Sequence, residues 1–199
     1  MGLNARPLSW PGEPPMDVRP RRRVRSRPPR RPARGASPVR EYRLRVNGTI
    51  RSIRTGSDRI VLSVLREEWR LTGAKYGCGE GQCGACTILL GSEPVPACQL
   101  TIGEVGKREL TTIEGLAGKD GLHPVQRAFA ELGAFQCGFC TPAMILGTVA
   151  LLRVHPHPTR AQIEGALDGH LCRCCGYSRI VRSIERAAEQ LGAGPGEGR

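Results

Sequence analysis

The residues best able to do chemistry in this 199-residue chain are its nine cysteines, and they are grouped rather than scattered. Cys78, Cys83 and Cys86 have the spacing Cys-x4-Cys-x2-Cys, and Cys98 comes close behind. That is a spacing that holds a [2Fe–2S] cluster. Cys98 is expected to supply the fourth thiolate from across a strand pair that turns at Gly91-Ser92. Such a site needs four thiolates converging on a compact anionic core, with backbone N–H groups aimed at the sulfurs to disperse charge. A glycine-rich loop permits both the unusual φ values and the close approach, and Gly77, Gly79, Gly81 and Gly84 meet that need. A zinc site is the competing reading, although zinc more often uses paired Cys-x2-Cys knuckles.

A second set stands further on. Cys137 and Cys140 form a Cys-x2-Cys, and Cys172 and Cys174 a Cys-x-Cys, with Cys175 adjoining. Alone, this set suits zinc or a second [2Fe–2S] cluster. The tight Cys-x-Cys and the neighbouring first set favour the cluster. Other chemistry-bearing residues carry less. His155 and His157 form a His-x-His beside two prolines and read as a solvated loop, and His123 reads as a helix-start residue. Trp69 and Tyr76 flank the first loop and read as packing that shields it. No nucleophile elbow, phosphate-cradling Gly-x-x-x-x-Gly-Lys or paired carboxylates occur, so no catalytic residue is assigned.

The elements that must position these thiols can be read from periodicity. Tyr42–Val46 alternates with period two, Asn47-Gly48 comes next, and Thr49–Ile53 resumes; strand, Asn-Gly, strand predicts a hairpin. Ile60, Val61, Val64 and Leu65 have helical spacing within Arg59–Trp69. Thr87–Leu90, Val95–Leu100 and Glu109–Thr112 read as short strands. Together they predict a small β-grasp unit. Beyond Lys119 helices take over. Val125, Phe129 and Leu132 share one face of the first. Thr141 caps the second, with Pro142 at its first position, and it runs to Leu152. Thr159 caps a third through Ala166, with Ile163 inward. Ser178 caps a fourth whose apolar face is Ile180, Val181, Ile184, Ala187, Ala188 and Leu191. A bundle this small buries little apolar surface, so a bound metal centre would help hold it together.

Composition bounds the setting. The net charge of +12 is unevenly spread: residues 1–40 hold eleven arginines against Glu13 and Asp17, or +9, with nine of the sixteen prolines. That stretch lacks any helical or strand period and is expected to be a disordered extension, or to lie upstream of a true start at Met16 or Val39. A basic tail could bind nucleic acid. Paired with a zinc-stabilised module, that is the alternative reading of the chain; a free-standing ferredoxin-like carrier is another. No apolar run reaches the length of a membrane span. Clustered thiols without a secretory signal point to the cytoplasm.

Five separated motifs agree with one family: Gly79-Glu-Gly-Gln-Cys-Gly-Ala-Cys-Thr87, Thr112-Ile-Glu-Gly-Leu116, His123-Pro-Val-Gln126, Gln136-Cys-Gly-Phe-Cys-Thr-Pro142 and Leu171-Cys-Arg-Cys174. Residues 41–191 resemble the small iron–sulfur subunit of the molybdenum hydroxylases, the family of xanthine dehydrogenase, aldehyde oxidase, aerobic carbon monoxide dehydrogenase and isoquinoline oxidoreductase. The resemblance implies an α+β chain: a β-grasp, plant-type ferredoxin-like domain over 41–118, then a four-helix bundle-like [2Fe–2S] domain over 119–192, with a tail over 193–199. It implies Cys78, Cys83, Cys86 and Cys98 on one cluster, and Cys137, Cys140, Cys172 and Cys174 on the other. It implies an electron-transfer subunit partnered by a large subunit that holds molybdopterin (cytosine dinucleotide), and by an FAD-binding medium subunit or another acceptor. By the same resemblance Gln136 matches the family glutamine at the pterin, and Cys137 would sit on the electron path from it. Nucleic acid is not an expected partner. Two positions depart from the family pattern. Cys175 stands where Thr is usual and reads as a bystander or a substitute ligand. His170 stands where Asn is usual and reads as a loop residue at a helix end or a donor to a cluster sulfur.

Overall fold

A computed structural model of the chain describes residues 37–119 and 121–192. The expected extension over 1–40 and tail over 193–199 lie outside these residues, apart from 37–40. Arg40 already belongs to a strand, pairing with Thr55.

The hairpin is β1 (Arg40–Val46) and β2 (Thr49–Thr55), antiparallel in a register that places Val46 opposite Thr49. Asn47 and Gly48 both take positive φ, 51° and 76°, the conformation of a type I′ turn that matches strand twist. Helix α1 is only Val61–Ser63 and continues as a π-helical turn over Val64–Glu68. It is therefore shorter than the apolar spacing over 59–69 predicts. Strands β3 (Thr87–Leu90) and β4 (Glu93–Pro96) form a second antiparallel pair. β4 ends before Cys98, so the expected strand over 95–100 is displaced towards its N-terminus. Pro96 removes a ladder donor at the strand end, and the chain turns there. The short helix α2 (Ile102–Val105) comes next, buried through Ile102 and Val105. β5 (Leu110–Thr111) pairs in parallel with β1 and antiparallel with β3. The sheet order is β2-β1-β5-β3-β4.

After a single 3-10 turn at Ile113–Gly115 come α3 (Pro124–Glu131), α4 (Thr141–Val154), α5 (Arg160–Leu167) and α6 (Tyr177–Gly192). Their starts are specified locally. The His123 ring accepts from Val125 N–H at 3.2 Å, while Gln126 accepts from His123 N–H at 3.0 Å. Thr159 and Gln162 form the same reciprocal box. Two expected caps differ. Cys140, not Thr141, is the N-cap of α4, and no side chain caps it. α6 begins at Tyr177, one residue before Ser178. Leu132 and Leu191 are substantially exposed although they share the apolar spacing of their helices, because each lies at or past a helix end.

Two cores result. One lies under the sheet, around Val46, Leu65, Ile88 and Leu110; the other lies among the helices, around Phe129, Met144, Ile163 and Ile184. They meet at β3. Its Ile88 and Leu90 face the sheet core and its Leu89 joins the helical one, so all four residues of the strand are buried. That burial on both faces explains why the strand reads as a continuous apolar run rather than an alternation. α4 packs on β3 and is buried nearly all round, as a central helix must be.

Candidate metal centres

The first thiol set is built by one loop and one turn. Leu71 N–H bonds Leu65 O at 2.8 Å and fixes the exit from the π-helical turn. Glu114, from the Thr112-Ile-Glu-Gly run, accepts from Gly73 N–H at 2.7 Å and holds the start of the loop. Gly79, Gly81 and Gly84 then take φ of 74°, 73° and 68°, where a side chain would be strained. This winding turns the N–H groups of Glu80, Gln82 and Cys83 onto Cys78 Sγ, at 3.3, 3.3 and 3.4 Å. Cys78 N–H in turn reaches Cys83 Sγ at 3.4 Å. Cys86 and Cys98 are both buried and lie close enough for each thiol to perturb the other. Gln99 braces the turn by donating to Gly79 O at 2.8 Å, and it reaches Cys98 Sγ at 3.8 Å. Tyr76 is exposed, although its hydroxyl lies over Gly79.

The second set is built from chain leading into helices. Cys137 and Cys140 precede α4, and Cys172 and Cys174 precede α6. Cys137 lies close enough to Cys174, and Cys140 to Cys172, for the thiols to perturb each other. The Tyr177 hydroxyl accepts from Cys172 N–H at 2.8 Å and donates to His170 O at 2.9 Å, which shapes the second loop. Gly176 N–H reaches Cys172 Sγ at 3.4 Å. Gln136 Nε2 donates to Cys174 O at 3.3 Å and ties the two segments together. Sequence reasoning singled out neither Gln99 nor Tyr177; the Gly-Tyr after the cysteines was the available signal for the second.

The thiols perturb one another. Burial pushes Cys78 up, but the N–H groups of Glu80, Cys83 and Gln82 outweigh it and favour the thiolate. Cys98 is drawn down to about 6, first by the Cys86 thiol and against burial. Cys86 is pushed far up, first by Cys98 and then by burial. Cys140 is pushed up to about 12 by burial and by the Cys172 thiol. Cys137 is drawn down by the Phe139 N–H and then by the Cys174 thiol. Sulfurs packed this closely cannot all ionise unless a cation sits among them. Among the described residues no three His, Cys, Asp or Glu side chains gather as one ion would require. The thiols meet two by two, the arrangement a two-metal core asks for. The all-thiolate donor set, the N–H groups on sulfur and the glycine winding fit a [2Fe–2S] centre.

The remaining sequence candidates separate. Cys175 is exposed at φ 56°, and its Sγ lies 3.9 Å from Arg173 O. His170 is not placed on a cluster sulfur; its Nε2 lies 3.2 Å from Thr87 Oγ1. Burial holds its protonation below the usual range and outweighs the opposing pull of the Ala166 carbonyl. His123 is held down likewise by burial and then by the Arg153 charge. His155 is exposed and lies 3.3 Å from Gln162 Nε2.

Comparison with known proteins agrees with this geometry. Residues 44–115 match the family model of a 2Fe-2S iron-sulfur cluster binding domain, and residues 112–185 that of a [2Fe-2S] binding domain. The chain is 44% identical over 149 residues to the nicotinate dehydrogenase small FeS subunit of Eubacterium barkeri, covering 74% of this chain and 94% of that protein. It is 42% identical to a probable xanthine dehydrogenase subunit of Bacillus subtilis, covering 80% of this chain and 93% of that protein. Among solved structures, the aldehyde oxidoreductase of Desulfovibrio desulfuricans superposes with a TM-score of 0.73 at 39% identity, over 76% of this chain and 17% of that one.

Proposed function

This chain belongs to the small iron–sulfur subunits of the molybdenum hydroxylases, and from that premise we propose how its residues serve the electron-transfer role. Cys78, Cys83, Cys86 and Cys98 hold one [2Fe–2S] cluster; Cys137, Cys140, Cys172 and Cys174 hold the other. Residues 41–118 form the ferredoxin-type unit and 119–192 the helical one. When bound, such a centre accepts and releases one electron.

The protein's own contribution is positioning and electrostatics. The N–H groups on Cys78 offset anionic charge at the first site. Burial of Cys86 and Cys98 keeps water from its inner edge. At the second site Tyr177 and Gln136 hold the two loops facing each other. Gln136 and Cys137 are exposed, and exposed Phe135 and Phe139 flank them. Apolar rings around a polar edge suit a docked protein surface. We assign this edge to a large subunit holding molybdopterin cytosine dinucleotide, and the exposed Cys78 side to an FAD-binding subunit or other acceptor. Among the described residues no helix is long and apolar enough to cross a membrane. We place the complex in the cytoplasm, where thiols stay reduced. The zinc-module reading with a nucleic-acid-binding tail finds no support in the family likeness.

The observation that supports this reading is the meeting of eight thiols in four pairs: Cys78 with Cys83 within one loop, Cys86 with Cys98, Cys137 with Cys174, and Cys140 with Cys172. The test is metal and sulfide analysis of the purified chain, followed by EPR after reduction. The expected result is a red-brown protein with about four irons and four sulfides and two distinguishable signals. A colourless protein holding stoichiometric zinc overturns it.

A further inference from the structure

The two thiol-bearing loops touch each other away from their sulfurs. Leu171 N–H donates to Cys83 O at 3.0 Å, joining the residue before Cys172 to the first loop. Gly84 lies so near that a Cβ there would sit 2.5 Å from Gly169 O and 2.9 Å from His170 Cδ2. On its other side the His170 ring rests against α4, where a Cβ on Gly147 would meet Cε1 and Nε2 at 3.4 Å. The imidazole is thus held between a glycine of the first loop and a glycine of the central helix.

Hydrogen-bond accounting fixes its chemistry. The Thr87 hydroxyl donates to Gly84 O at 2.7 Å, so its oxygen is left to accept. The His170 ring therefore donates through Nε2–H to Thr87, at the first residue of β3. Its buried Nδ1 carries no proton in that tautomer and has no partner. The bond spans 83 positions of sequence and joins the helical unit to the sheet where the two cores meet.

We propose that His170 is a positioning residue that locks the two thiol-bearing loops at one separation and orientation, through its bond to Thr87 and its seat between Gly84 and Gly147. This rests on the two-cluster reading above. The ring touches no thiol; it acts on the relation between the two sites.

The test uses the full chain with both clusters loaded. Iron and sulfide analysis of the wild type, with about four of each expected, decides the two-cluster reading separately. Two reduced centres at fixed separation split each other's EPR lines at low temperature, and that splitting reports their geometry. H170A is expected to keep full iron and sulfide but lose the resolved splitting. T87V is expected to weaken it less, and the double variant to add nothing beyond H170A, as a shared bond requires. H170Q, which keeps an N–H donor of similar reach, is expected to restore it in part. Should H170A lose iron, T87V carries the test, with faster amide exchange expected at Leu171. Unchanged splitting and exchange in T87V, or unchanged splitting in a fully loaded H170A, overturns the proposal. Loss of iron from the helical site alone, with T87V like the wild type, also overturns it, since the ring would then serve only its own loop.

Discussion

The sheet unit and the helical unit solve the same problem in different ways. In the first, one glycine-wound loop brings three thiols and its own N–H donors, and a turn after β4 adds the fourth. In the second, two pairs arrive from chain entering two helices, and the N–H groups on sulfur come singly, Gly176 on Cys172 and Phe139 on Cys137. The sheet loop has its geometry set by backbone winding and by neighbours such as Glu114 and Gln99. The helical site is held by fewer ties, among them Gln136 and Tyr177, around an exposed Cys137. A preformed nest and a site that its metal helps to close should therefore fail differently.

The largest effect should come from thiol removal. C86A and C140A should each lose about half of the iron. C86A should leave most amide protection in the sheet, because the core around Val46 and Leu65 stands without it. C140A should strip protection from α4 and α6, where metal binding contributes folding free energy. Exchange mass spectrometry on the two variants separates the cases; equal protection in both would erase the contrast.

A pair of glycines sharpens it. Gly84 and Gly138 have similar positive φ, 68° and 77°, but a Cβ meets the neighbouring loop only at Gly84. G138A should cost about 1 kcal/mol from backbone strain alone. G84A adds a clash with Gly169 O and should cost roughly 3 kcal/mol or more. Denaturant melts of the loaded proteins measure both.

The smallest effect is a drift with pH. All four histidines lie at position 123 or beyond, so the sheet unit has none. Burial holds both His123 and His170 below the ordinary value of 6.5. The unfolded chain then binds more protons than the folded one as pH falls past 6.5, so stability is full above that value and declines below it, towards the folded pKa values. Amide exchange of the helices should quicken over that window before that of β1 and β2.

Much of this was legible in local pattern. Asn47-Gly48 between alternating runs specified the hairpin, and the apolar spacing of α6 marked its buried face. The cysteine spacing named both thiol sets, while their pairing needed coordinates. The features that escaped were set by distant partners or by brevity. α2 is four residues long, too short for a helical period to register. β4 stops early because the chain turns at Pro96, not because apolar residues run out. The junction of Thr87 with His170 and of Cys83 with Leu171 joins segments with no shared signal, and no window on the sequence contains both halves.

One packing relation bears on the order of synthesis. α6 lies against α3 and is translated after every other part of the second site. Until α6 has emerged, neither its packing on α3 nor the Tyr177 hydroxyl can help hold Cys172 and Cys174 opposite Cys137 and Cys140. The sheet, by contrast, is complete once β5 has emerged, well before the helices. Assembly is therefore staggered: the ferredoxin-type loop has all its neighbours in the sheet once β5 has emerged, whereas the helical site must wait for α6.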